Sequence, residues 1–225
     1  MDKLTIVINS CKVYATATLP PLIDNIKKNN PGFKILVIIG DHVEKRIISV
    51  EDNITIIETD NNSIDYTAMI TLLEKPEILT TDWFLYLHDT IQLGPTFFQK
   101  LQGINLENFP KKITTISFQF PSANIGLYHK DVISRLKPAI LKFKNQDNSI
   151  LHELKSLFVA AEDAIFRMNM QEHTMFPTKP DAKWNDPLID LFNTGRKRLT
   201  EYYADLDFWK VKATFALAYT YTLEP

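Results

Sequence analysis

The sequence predicts an α/β domain: a mostly parallel sheet covered by helices. Three observations carry that prediction. Short apolar runs recur at Leu4 to Ile8, Lys34 to Ile39, Ile54 to Ile57 and Trp83 to Leu87, each long enough for a strand and too short for a helix. Between several of them lie stretches with apolar residues at helical spacing. The runs are nearly continuous rather than alternating, the pattern of strands buried on both faces.

Taken in order, Leu4 to Ile8 is rich in β-branched residues and ends in Asn9-Ser10. Pro20 to Lys28 has helical spacing, with Leu22, Ile23 and Ile26 on one side and Pro20-Pro21 suited to a first turn. Lys34 to Ile39 closes at Gly40-Asp41, and Ile54 to Ile57 closes at Glu58-Thr59-Asp60. A helix capped within Asp60 to Ser63 follows, with Ile64, Ala68, Leu72 and Leu73 inward, and stops near Pro76. Trp83 to Leu87 then runs straight into His88-Asp89-Thr90. Ile113 to Phe120 and Asn124 to Tyr128 are the next strands. Asp147-Asn148-Ser149 suits the cap of a long helix from Ile150 to Met170, its stripe running Leu151, Leu154, Leu157, Phe158, Ala161, Ile165 and Met168. The aromatic tail, Trp184 to Thr222, is expected to be mostly helical and packed on the same sheet edge.

Composition narrows the function classes. A chain of 225 residues, 45% hydrophobic and 23% charged, is an ordinary globular domain. The net charge of -2 gives no electrostatic case for nucleic acid or an anionic membrane surface. A single cysteine, Cys11, leaves no intrachain disulfide. No run approaches the ~18 apolar residues of a membrane span, and the N-terminal apolar stretch is too short for a signal peptide, so a cytoplasmic location is expected. Richness in Lys, Asn and Ile fits the AT-rich genome of a bacterium or a large virus.

Ligands of open parallel sheets bind beyond the carboxyl ends of the strands. The four strand ends named above draw an acidic rim there. Asp41 is placed for a ribose or base, although Gly-Asp is also a plain turn pair. Asp65, opening a helix, can reach the base or donor sugar, or simply complement the helix dipole. Ser10 and Tyr14 can frame a nucleobase. His88 is either a strand-end residue or part of a ligand site. Adjacent acids such as Glu162-Asp163 usually sit on a solvated helix face, and the basic run Arg196-Lys197-Arg198 reads first as a solvated helix start.

Together these pieces resemble a glycosyltransferase of the GT-A fold, over most of residues 4 to 170. Leu87-His88-Asp89-Thr90 corresponds to that family's Asp-x-Asp metal motif, with Thr90 where the second acid usually stands. Ile91, Gly94-Pro95, Phe97-Phe98 and Leu101 follow the family pattern, and Asn124-Ile125-Gly126-Leu127-Tyr128-His129 is similar to the run before its acceptor region. The resemblance implies a single domain, with a nucleotide-sugar half over about residues 1–101 and an acceptor half and tail over about 102–225. It implies a nucleotide-diphosphate sugar, UDP-linked as first choice, and a glycan or glycoprotein acceptor. It makes Asp163 the catalytic base of an inverting reaction, with Glu162 the alternative. It makes Asp89 a ligand of Mn²⁺ or Mg²⁺, aided by His173, and Arg196 and Arg198 a diphosphate clamp. Thr90 leaves metal dependence open, because a hydroxyl is a poor ligand for either ion. Two other readings remain: an inactive nucleotide- or sugar-binding module, and a sugar-nucleotide-forming nucleotidyltransferase. Ser10-Cys11-Lys12-Val13-Tyr14 contains no glycine, which argues against the latter and against a Rossmann dehydrogenase.

Overall fold

The structure is a computed structural model that describes residues 3–42, 46–51, 53–108, 115–117, 125–145, 165–167, 199–203 and 206–212. The main sheet is built from β1 (Leu4–Cys11), β2 (Lys34–Gly40), β3 (Arg46–Glu51), β4 (Ile54–Glu58), β5 (Trp83–His88), β7 (Thr115–Ser117), β8 (Gly126–His129) and β9 (Ile165–Arg167). Its order is β3-β4-β2-β1-β5-β8-β7-β9. β4, β2, β1 and β5 are all parallel, as the unbroken apolar runs require. β3 and β8 run against their neighbours. The α/β class read from the sequence is therefore the observed one.

Helices cover both faces. α1 (Lys12–Asn29) and α3 (Phe97–Gln102) lie on the face formed by Ile6, Ile8, Leu85 and Leu87, adding Leu19, Leu22, Ile26, Phe97, Phe98 and Leu101 to one core. α2 (Thr67–Glu74) covers the other face, where Val7, Leu36, Phe84, Tyr86 and Tyr128 pack with Ala68, Met69, Leu72 and Leu73. The alternation of side chains along β1 and β5 assigns each residue to one core or the other. α4 (Lys130–Ile140), not foreseen in the sequence, follows β8 and meets α2.

Four elements differ from expectation. α2 begins at Thr67, after a 3-10 turn over Ile64–Tyr66, and no side chain within Asp60 to Ser63 caps it. α1 starts at Lys12, not at Pro20, so Pro20 and Pro21 lie inside it. In the stretch Val13 to Thr18 the weak helix formers Val13, Tyr14, Thr16 and Thr18 outnumber Ala15 and Ala17, and burial of Thr18 and Leu19 outweighs that propensity. Ile165–Arg167, within the stretch expected to be helical, pairs with β7 as a strand. The expected helical tail is corrected in its described part: β10 (Leu199–Tyr203) and β11 (Phe208–Lys212) form a hairpin that joins β6 (Ile91–Leu93) in a second, three-stranded sheet. Aromatic and β-branched residues at Tyr202, Tyr203, Phe208, Trp209 and Val211 suit strands at least as well as helix.

Candidate functional site

From β1 the chain crosses through α1 to β2 on one side, and it later returns as β5 on the other side of β1. The carboxyl ends of β1 and β5 therefore flank a topological switch point, the place where open α/β sheets bind ligands. Asn9 of β1 is in register with His88 of β5, so both strands present their polar ends at one level. Strand alternation then sorts those ends into two clusters, one on each face of the sheet.

On the α1 face stand Ser10, Asp89 and Thr18, all buried. The Ser10 hydroxyl donates to Asp89 Oδ2 at 2.6 Å, and the Thr18 hydroxyl donates to the same oxygen at 2.8 Å. The backbone N–H dipoles of Asp89 and Thr90 also favour the charged carboxylate. Burial pushes the Asp89 carboxyl above its ordinary range, against the pull of these hydrogen bonds. The backbone N–H of Asp89 closes on Asn9 O at 3.0 Å.

On the α2 face, Asn9 Oδ1 accepts the Ala68 N–H at 2.8 Å and lies 3.2 Å from the Tyr86 hydroxyl oxygen. Ala68 is in the first turn of α2, so a strand residue satisfies one of the helix's orphan donors from a distance. Tyr86 Oη is also 2.9 Å from Asp65 O, to which it can donate. That contact holds the 3-10 turn Ile64–Tyr66 against the strand end. The Asp65 carboxylate lies 3.7 Å from His88 Nδ1, with side chains 28% and 10% exposed. His88 also meets the Tyr86 ring edge-on, at 6.2 Å between centroids.

Asp41 is exposed at the end of β2 with φ 67°, a conformation that Asp tolerates better than most residues. Its N–H reaches Asn61 O at 3.2 Å. The preceding Gly40 leaves no room for a side chain, since an added Cβ would stand 2.5 Å from Asn61 O. Tyr14 sits in the first turn of α1, and its carbonyl oxygen, 3.0 Å from the Thr18 hydroxyl, competes with Asp89 for that group's single proton.

The structure thus joins Ser10 to Asp89, and Asp65 to His88, while Asp41 stands at the neighbouring strand end. Glu162, Asp163, His173, Arg196 and Arg198 lie outside the described residues. Asn9, Thr18 and Tyr86 were missed as site residues. A polar Asn closing the apolar run of β1 was a readable signal, whereas Thr18 gave none.

The described donors do not by themselves fit a resident Mn²⁺ or Mg²⁺. Among the described residues no three His, Cys, Asp or Glu side chains gather to hold a metal. The Asp89 carboxylate, moreover, is already surrounded by hydroxyl and backbone donors. No helix among the described residues is long and apolar enough to cross a membrane.

No protein-family model matches the sequence, and no curated protein matches it. Among solved structures the chain is similar to a glycosyltransferase involved in the glycosylation of the major capsid of PBCV-1, with TM-score 0.45 and 16% identity over 73% of this chain and 82% of that one. It is also similar to the glycosyltransferase GlyE in Streptococcus pneumoniae TIGR4, with TM-score 0.46 and 16% identity over 74% of this chain. The chain spans 46% of the length of that second structure. Both likenesses concern the fold alone.

Proposed function

We propose that the protein is a glycosyltransferase that moves a sugar from a nucleotide diphosphate to a hydroxyl of a glycan or glycoprotein. The observation that supports this most is the pair of polar clusters flanking the β1–β5 switch point, one on each face of the sheet, on a domain with no glycine-rich phosphate loop after its first strand. Asp41, exposed beside that point, is the proposed partner of the ribose or base, and Tyr14 the proposed stacking residue. UDP is the first-choice nucleotide.

In the proposed reaction the acceptor oxygen attacks the anomeric carbon from the side opposite the diphosphate. The carbon–oxygen bond to the diphosphate breaks as the new glycosidic bond forms, and configuration inverts. A carboxylate takes the acceptor's proton, Asp163 in our reading with Glu162 as the alternative. The leaving diphosphate carries away the bonding pair, and guanidinium groups suit its charge; Arg196 and Arg198 are proposed for that role.

Calorimetry with UDP, GDP, CDP and dTDP, each with and without Mn²⁺, tests the reading. One nucleotide diphosphate is expected to bind well above the others. Strengthening by Mn²⁺ would show that a divalent ion shares in holding the diphosphate, and indifference to Mn²⁺ would leave that to the arginines. Failure of all four to bind would refute the proposal.

A further inference from the structure

We propose that Asp89 is an internal fastening of the switch point, and that the donor-facing acid there is Asp65, coupled to His88. This deepens the glycosyltransferase reading and rests on it for the identity of the ligand.

A carboxylate has about four hydrogen-bond acceptor positions on its two oxygens. Asp89 is 6% exposed and already receives Ser10 Oγ at 2.6 Å and Thr18 Oγ1 at 2.8 Å, and the backbone N–H dipoles of Asp89 and Thr90 favour its charged form as well. Its neighbours are all donors, so they supply the positive ends of dipoles that a metal ion would otherwise provide. A divalent ion bound to Asp89 would have to displace those donors or share a crowded oxygen with them. The same contacts tie three elements at one place: Ser10 from β1, Thr18 from α1 and Asp89 from the residue after β5. Such an arrangement fixes the geometry of the crevice without entering it.

The opposite face is arranged the other way round. There the backbone is the part held fast, through Tyr86 Oη to Asp65 O at 2.9 Å and through Asn9 Oδ1 to the Ala68 N–H at 2.8 Å. The carboxylate of Asp65 keeps partial exposure and faces His88 at 3.7 Å. A rigid backbone with a side chain still open to solvent is what a ligand contact at a strand end needs. His88, itself buried, faces Asp65 through Nδ1, and the partly exposed Asp65 carboxylate suits hydroxyl groups of a ribose or a sugar.

The test uses the full chain and, as probe, whichever of UDP, GDP, CDP or dTDP binds the wild type. Thr18→Val and Asp89→Asn are expected to lower the melting temperature, Thr18→Val by about 3–12 °C for a chain of this size. Both should keep the wild-type affinity for the probe and the wild-type response to Mn²⁺. Asp65→Asn should melt as wild type yet bind the probe, or its UDP-, GDP-, CDP- or dTDP-sugar, about tenfold more weakly. Loss of a Mn²⁺ response in Asp89→Asn at unchanged melting temperature would overturn the proposal. So would wild-type binding of both probe and sugar nucleotide by Asp65→Asn. If no nucleotide binds the wild type, the ligand reading falls and Asp65 loses its role. The fastening then stands or falls on the melting of Thr18→Val, which needs no ligand.

Discussion

Ser10 and Thr18 direct two hydroxyls at one oxygen of Asp89, and the energetic weight of that choice can be read from its burial. A hydrogen bond to a charged group contributes roughly 1.5–3 kcal/mol, and a buried group left unsatisfied costs a similar amount. Replacing Thr18 by Val should therefore lower unfolding stability by about 1.5–3 kcal/mol in urea titrations. The pH dependence follows from the direction of the Asp89 shift. Burial raises its folded-state carboxyl above the ordinary value of 3.8. Its contribution to stability is then fully present below the unfolded-state value and is lost as pH rises through the folded-state value. Melting curves of wild type and Asp89→Asn, compared from acid to neutral pH, should show the variant's deficit shrinking as pH rises above 3.8. A deficit that grew with pH would mean that the hydrogen bonds outweigh desolvation.

At the scale of elements, the hairpin β10–β11 is coupled to the strand that follows His88-Asp89-Thr90. β11 pairs with β6, and Asp207 at its start accepts hydrogen bonds from Thr96 N–H at 2.8 Å and Thr96 Oγ1–H at 2.6 Å. Thr96 is the residue at the amino end of α3, so the C-terminal hairpin helps to fix that helix start. Gly94 is required where the two elements meet, since a Cβ there would lie 2.3 Å from the Asp207 carboxyl. Asp207 also holds φ 55°, which Asn tolerates and Ala does not. Asp207→Asn is expected to cost about 1 kcal/mol and Asp207→Ala about 1–2 kcal/mol more, measured by chemical unfolding. Equal losses in the two variants would place the cost in charge alone. The expectation of a helical tail failed here because aromatic residues fit both kinds of element. What selects the strand is β6, distant in sequence, offering an edge to pair with.

For the whole molecule, the switch point couples ligand binding to global stability. A ligand that binds only the folded chain adds about 2.7 kcal/mol at a hundred times its dissociation constant, which raises the melting temperature by roughly 5–11 °C for a chain of this size. The nucleotide diphosphate that binds most tightly should therefore give the largest shift in a thermal scan, in the same order as the calorimetric affinities. The two-sided core explains why the shift should be cooperative. β1 and β5 each face both hydrophobic cores, so whatever holds their carboxyl ends together resists unfolding on both sides.

The sequence by itself determined the α/β class, the parallel strands β1, β2, β4 and β5, the end of α2, and the polar strand ends at Asn9-Ser10, Asp41 and His88-Asp89. Those follow from local pattern: continuous apolar runs need two covered faces, and a run that stops at polar residues marks a strand end. Only the tertiary structure decided which of those ends meet. Ser10 and Asp89 are 79 positions apart and Thr18 and Asp89 are 71 apart. Their union depends on the strand order and on α1 beginning eight residues earlier than its prolines suggest. Local pattern also says nothing of face: adjacent residues His88 and Asp89 look alike at a strand end. The pleat turns one towards Asp65 and the other towards Thr18, and that division separates the partly exposed acid from the enclosed one.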